Sequence, residues 1–296
     1  MFMLHLLPIW LFPFFPTQDG ISHVYNAHVL CEYRNPAYHF QDFYDINWSF
    51  FPNWLSHFGL AILMRLFSPL LAEKLFLSSY VIFFPTAISY FINSFNTDKL
   101  GLPTWLSFFF IYNYLFLMGF YNYVVGVSLF FLILGFWWRC KEKLSLNRIL
   151  ILNLLFLITY FAHLVPYVFA LGSIGLLSLL AFFHRPRQIL ANFLALLLPT
   201  SLLLYYLPAS DLFRSSSPKI SFDRVGMLLS DFFNLRVLVA FDNQQEIFAR
   251  MVMGILVFYI LYSFWQELRQ IIQKGQWLLT PFLQVLILFF LFSFNT

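Results

Sequence analysis

Apolar runs of membrane-crossing length recur along nearly the whole chain, separated by short polar segments. A helix needs roughly 20 residues to cross a hydrocarbon core. Candidate helices fall at 1–16, 54–67, 75–92, 103–118, 121–138, 149–162, 165–183, 189–207, 247–265 and 278–294. Strands of a transmembrane barrel alternate apolar and polar residues, whereas stretches such as 150–160 and 252–264 are apolar at odd and even positions alike, so a barrel does not fit. The pattern predicts an all-α polytopic transmembrane bundle, a single domain over 1–296, with two long polar segments at 17–53 and 208–246.

Basic residues fix the sides. Positive charge in short loops favours the cytoplasm, and the clusters are Arg139, Lys141, Lys143 and Arg148, then Arg185 and Arg187, then Arg269 and Lys274. Two helices separate consecutive clusters, so all three can share one side. If the first helix runs outward and every candidate crosses, the Arg139 cluster falls outside. The short run 54–67, which holds His57 and Arg65 between Pro52 and Pro69, is therefore read as an interfacial helix within a first outer loop spanning 17–74. About nine helices then cross, and Asp19, His23, His57, Asn122, His163, Asp211 and Asp242 share the outer face. The second outer loop, 208–246, is expected to carry a short interfacial helix. Residues 1–16 lack a basic n-region and a small-residue cleavage site, which predicts a retained anchor. They reach only about 24 Å, and the chain stops directly after an apolar run, so a longer protein is expected.

Composition agrees: 61% of the residues are hydrophobic, 22% aromatic and only 10% charged, against about a quarter charged in soluble domains. A soluble fold is excluded, and membrane lipid is the expected surrounding. The net charge of +4 resides in topological clusters, which argues against a nucleic-acid partner. Cys31 and Cys140 are too few and too distant for a disulfide framework or metal site.

The strongest local signal is the run 18–27, Gln-Asp-Gly-Ile-Ser-His-Val-Tyr-Asn-Ala. On a helix, Asp19, His23 and Asn26 are spaced by four and three and share one stripe. A carboxylate there can take the proton of an acceptor hydroxyl while imidazole and amide hold neighbouring oxygens. The alternative is that Asp19 caps the helix. His163, before Pro166 at the outer end of a helix, is a candidate for a phosphate, or a simple interfacial histidine. Asn122 can bond a sugar, or merely close a turn. Arg34, Arg214, Arg224 and Arg236 are candidate phosphate ligands, because a guanidinium grips two oxygens at once. Asp42 and Asp45 can hold a divalent metal or solvate the loop, and the histidines lack zinc-motif spacing.

A short first helix, an acidic residue in a D-G-x-x-H setting opening a long outer loop, and a Pro-Asn-Trp segment at 52–54 before an interfacial helix together resemble the integral-membrane glycosyltransferases of the GT-C superfamily. The resemblance implies that Asp19 is the first-loop acidic residue, that the donor is a sugar on a polyprenyl phosphate or pyrophosphate, and that transfer occurs at the extracytoplasmic face of a cell membrane, bacterial inner membrane in type. Together with the residue readings above, this makes Asp19 and His23 the expected catalytic pair, with Asn26, His57, Asn122, His163, Arg34 and Arg224 expected to bind substrate. Asp19 has no acidic neighbour, unlike the paired Asp-x-Asp of many members, and where many members carry a large soluble carboxy-terminal domain the given chain ends in an apolar run. A transporter or flippase of lipid-linked substrates is the rival reading, and an assembly subunit, in which Asp19 is dispensable, is the third.

Overall fold

The computed structural model describes residues 1–95, 102–209, 222–240, 242 and 244–274. The expected helix at 278–294, together with Arg214 and Asp211, lies outside them. Among the described residues all regular structure is helical. In chain order the helices are α1 (Phe2–Leu11), α2 (Gly20–Glu32), α3 (Leu55–Met64), α4 (Pro69–Phe95), α5 (Leu102–Leu106), α6 (Tyr114–Leu117), α7 (Tyr121–Cys140), α8 (Leu146–Ala162), α9 (Leu164–Ala181), α10 (Pro186–Ala195), α11 (Leu197–Ala209), α12 (Phe222–Phe233) and α13 (Gln244–Lys274). They divide into two compact units, one of Met1–Ile111 with Met118–Ser217, the other of Tyr112–Leu117 with Pro218–Thr296.

Among the described residues three helices are long and apolar enough to cross a membrane, α4, α7 and α9, and a fourth span arises if α10 and α11 count as one bent element. The bend of 51° has a local cause. Pro199 has no N–H to offer the carbonyl of Ala195, and that carbonyl instead accepts from Asn153 Nδ2 at 3.3 Å. The Pro199 carbonyl is bonded in turn by the Tyr167 hydroxyl. The run 103–118, expected as one helix, is in pieces: α5, a 3-10 turn at Ser107–Phe110, and α6. Side chains compete with the helical ladder there. The Ser107 hydroxyl donates to the Thr104 carbonyl at 2.6 Å, and Asn113 Oδ1 accepts from the Phe116 N–H at 3.0 Å. Against expectation α4 begins at Pro69, which draws Glu73 into a helix of spanning length.

The first unit is built on the pair α4 and α7. Phe91 packs against Phe131 with ring centroids 5.6 Å apart, and Gly135 lets the backbones approach. A Cβ at Gly135 would lie 2.9 Å from Phe91 Cα and 2.9 Å from Tyr90 Cδ1. Such small-residue approaches are the usual means by which helices associate where lipid removes the hydrophobic drive. On α8, Leu152, Phe156 and Tyr160 are buried while Leu146, Leu150, Leu154 and Leu157 stand exposed on the opposite side, an apolar face suited to acyl chains.

In the second unit α12, the short helix expected within 208–246, exposes Met227, Leu229 and Phe233. Asp242 Oδ1 accepts from the Gln244 N–H at 3.3 Å and so opens α13. Glu246 lies 3.6 Å from Arg236 and 3.3 Å from Arg250.

Gly135→Ala is expected to cost about 1–3 kcal/mol through overpacking and to lower the thermal midpoint in detergent. Gly172→Ala, where an added Cβ meets nothing within 4 Å, should be neutral or slightly stabilising. Equal midpoints for the two variants would contradict the packing account.

Candidate functional site

The start of α7 organises the site. Its first three side chains fan out by about 100° each, as 3.6 residues per turn requires, and each takes hold of a different element. The Tyr121 hydroxyl donates to Glu73 Oε1 at 2.8 Å. It has one hydrogen to give, so Thr17 Oγ1, 2.7 Å away, must be the donor in their bond. Asn122 holds the entry to α3: its Oδ1 accepts from the Ser56 N–H at 2.7 Å and its Nδ2 donates to the Asn53 carbonyl at 2.9 Å. Tyr123 meets His163 edge-on, with centroids 5.0 Å apart.

Glycines make this convergence possible. A Cβ on Gly20 would collide with Thr17 Oγ1 and the Tyr121 hydroxyl. Gly119 has φ +89°, which an L side chain adopts only with strain, and a Cβ there would lie 2.8 Å from the Asp19 nitrogen and 2.9 Å from the Gly20 nitrogen. The Pro-Asn-Trp segment reads similarly. Asn53 takes a left-handed φ of 71°, tolerable for asparagine, and the Trp54 N–H reaches the Phe161 carbonyl at 2.8 Å.

Asp19 sits at the N-cap position of α2, yet its carboxylate makes no capping hydrogen bond. Its backbone N–H is held by the Met118 carbonyl at 3.1 Å, which fixes the residue while leaving the side chain unspent. One turn on, His23 lies flat on Tyr121 at 5.1 Å, and its Nδ1 is 2.9 Å from Nε2 of His57 on α3. Burial, reinforced by His23, pushes the His57 imidazole down to about 4. Burial also lowers His23, opposed by a hydrogen bond with the Gly119 backbone and by the Asp19 charge. At neutral pH the two rings are therefore an uncharged pair, one donating and the other accepting.

His163 is the N-cap of α9. Its Nδ1 accepts from the Val165 N–H at 3.2 Å, and burial depresses the ring to about 4. The neutral tautomer this dictates carries its proton on Nε2, a donor with no bond of its own among the described residues.

Helices α2 and α3 run in the same sense, with His23 against His57 at one end and Arg65 near Cys31 at the other. Tyr25, Tyr38, Phe40 and Tyr44 pack together and fold the following loop over them. Beneath it lie two adjoining cavities. One of about 370 Å³ is lined by Asn26, Tyr44, Phe51, Asn53, Trp54 and His57 among others. The second, about 690 Å³, carries Arg34 and Arg65. Leu30, Asp45 and Ile46 line both.

The structure thus places Asn26 and His57 on one cavity, with His23 bonded to His57 just outside its lining and Asp19 one turn before His23 on α2. Arg34 stands at the far end of α2, roughly 20 Å from Asp19 at 1.5 Å per residue. Asn122 commits both ends of its amide to backbone. Arg224 is on α12 in the second unit, where Arg236 is paired with Glu246. His39 is 3.3 Å from Asp42, and no group of three metal-binding side chains is found among the described residues. Glu73, Tyr121 and Arg65 escape a reading of the sequence. Glu73 precedes the apolar run of its helix, and only Pro69, a helix-opening residue, signals that the helix starts early enough to include it.

No family model, curated protein or solved structure matches this chain.

His57, lowered from 6.5 to about 4, contributes stability that is complete above about pH 6.5 and is lost as pH falls towards 4, because the unfolded chain binds the proton more readily. Thermal unfolding of the wild type in detergent is expected to weaken between pH 7.5 and 5, and less so for His57→Gln. Identical pH slopes would contradict the neutral pair.

Proposed function

We propose that the protein is a membrane glycosyltransferase of GT-C type that moves a sugar from a polyprenyl-phosphate-linked donor to an acceptor hydroxyl at the extracytoplasmic face of the membrane. The observation that carries this reading is the unspent Asp19 carboxylate, held by its backbone at the head of a cleft beside an uncharged histidine pair. Asp19 takes the acceptor's proton, and the freed oxygen forms a bond to the anomeric carbon. The bond from that carbon to the lipid phosphate oxygen breaks, the electron pair leaves with the phosphate, and one displacement inverts the centre. Burial lowers the affinity of His23 and His57 for a proton, so both rings stay neutral and neither pairs with the Asp19 carboxylate as a cation. His163 offers the Nε2 hydrogen to the departing phosphate. Arg34 is too far along α2 to share that task. The exposed apolar face of α8 is suited to the lipid.

In this reading about nine helices cross, and the basic clusters at 139–148, 185–187 and 269–274 face the cytoplasm. Arg185 lies 3.2 Å from Glu142, which is consistent with the first two clusters sharing a side. Glu73, a buried carboxylate in a helix of spanning length, favours a second reading as a transporter.

Asp19→Asn is expected to reduce transfer of labelled sugar from a polyprenyl-phosphate donor pool by about a hundredfold or more, the size of a general-base contribution, at unchanged expression. Unchanged transfer removes Asp19 from catalysis. No transfer by the wild type, with substrate movement lost in Glu73→Gln, establishes the transporter instead. In a background without Cys31 and Cys140, a cysteine at Asn47 should react with an impermeant maleimide in intact cells, whereas one at Ser145 should react only after permeabilisation. The reverse pattern inverts the topology.

A further inference from the structure

We propose that the acceptor is a negatively charged carbohydrate chain laid along the α2–α3 cleft, its reacting hydroxyl at Asp19, an inner ring in the cavity beside His57 and its anionic group at Arg34 and Arg65. The inference rests on the transfer reading and adds to it the class of acceptor.

The cleft offers a graded series of chemistries. Asp19 and the histidine pair stand at its head. About 10 Å on, at 1.5 Å per residue, Asn26 opens the smaller cavity. That cavity presents aromatic faces, with Phe51 and Trp54 set edge-to-face at 5.6 Å, beside the side chains of Asn26, Asn53 and Asp45. Those three polar side chains make no hydrogen bond among the described residues. All three are exposed, and an acyl chain or apolar peptide side chain would displace the water that serves them without replacing its hydrogen bonds, which disfavours such ligands. A sugar ring offers apolar C–H faces to the aromatics and hydroxyls to the amides and carboxylate. The cavity contains no cation and suits a neutral ring.

The larger cavity differs in charge. Arg34 and Arg65 both line it and are exposed, and neither guanidinium has an ion pair or hydrogen bond among the described residues. Glu32 and Asp45 line the same cavity, so it holds charge of both signs and an anionic group is taken at the two guanidiniums alone. Asn35 Nδ2 donates to Glu32 at 2.9 Å, and Asp45 lies on the part shared with the smaller cavity. Two free guanidiniums facing one concave space bind carboxylate, phosphate or sulfate oxygens in pairs. Their distance from Asp19, roughly 20 Å along α2, exceeds a single sugar ring, so one ligand engaging both ends must be a chain.

The test uses the full chain purified in detergent with no donor present. Binding is read by saturation-transfer NMR with neutral trisaccharides of glucose, galactose and N-acetylglucosamine, their uronic-acid or sulfated counterparts, and the monosaccharides. At least one acidic trisaccharide should bind about tenfold tighter than its neutral counterpart, and Arg65→Gln should abolish that preference while Arg65→Lys keeps part of it. Asn26→Ala should weaken neutral and acidic trisaccharides alike. The proposal is overturned if no acidic trisaccharide outbinds its neutral counterpart, if monosaccharides bind as tightly as the chains, or if Arg65→Gln preserves the preference. Charge-selective binding without any transfer from a lipid donor would keep the site and discard the transfer reading. Transfer unaffected by Asn26→Ala and Arg65→Gln would discard this acceptor alone.

Discussion

One end of the first unit depends on one short stretch of backbone, the entry to α7. Tyr121, Asn122 and Tyr123 are consecutive, so helical geometry sends them in three directions, and each meets a polar or aromatic group of another element. Glu73, the start of α3 and the cap of α9 are thereby referred to a common origin. Gly119 and Gly20 supply the clearance that lets the start of α2 reach the same point. The cleft is defined by what lies between these fixed ends, and its precision follows from theirs.

Burial sets the electrostatics. Removing imidazoles from water favours their neutral forms, so His23, His57 and His163 act through hydrogen bonding and shape. The consequence for Asp19 is indirect: a protonated histidine one turn away would pair with its carboxylate and cancel part of its charge, whereas a neutral one does not. Glu73 is treated differently. Its carboxyl is bonded by the Tyr121 hydroxyl and enclosed beneath Gly20, so it serves the framework of the cleft and does not line either cavity.

Much of this was legible in the sequence where the signal was periodic or local. The all-helical character followed from runs apolar on every face, and the stripe of Asp19, His23 and Asn26 followed from spacings of four and three. The helix expected at 54–67 appears as α3, shorter by a turn because Arg65 and the residues before Pro69 leave the ladder. Continuity was harder to read. The run 103–118 is apolar enough for one helix, but hydropathy does not register hydroxyl and amide side chains that bond the backbone locally. Nothing local pairs Asn122 with Ser56, 66 positions away, or His23 with His57, 34 away, so their partners emerge only when the chain is folded. The same distance in sequence hid Arg65 as a companion of Arg34.

The segment joining the loop to α3 is held from downstream. The Phe50 carbonyl is bonded by Tyr160, the Trp54 N–H by the Phe161 carbonyl, and Asn53 and Ser56 by Asn122. A chain still emerging from the ribosome lacks all of these clasps until α7 arrives and lacks half of them until α8 is complete. The cleft thus cannot close before α8 is complete, and a nascent chain halted before residue 160 would present the loop ahead of α3 unfastened to proteases and chaperones.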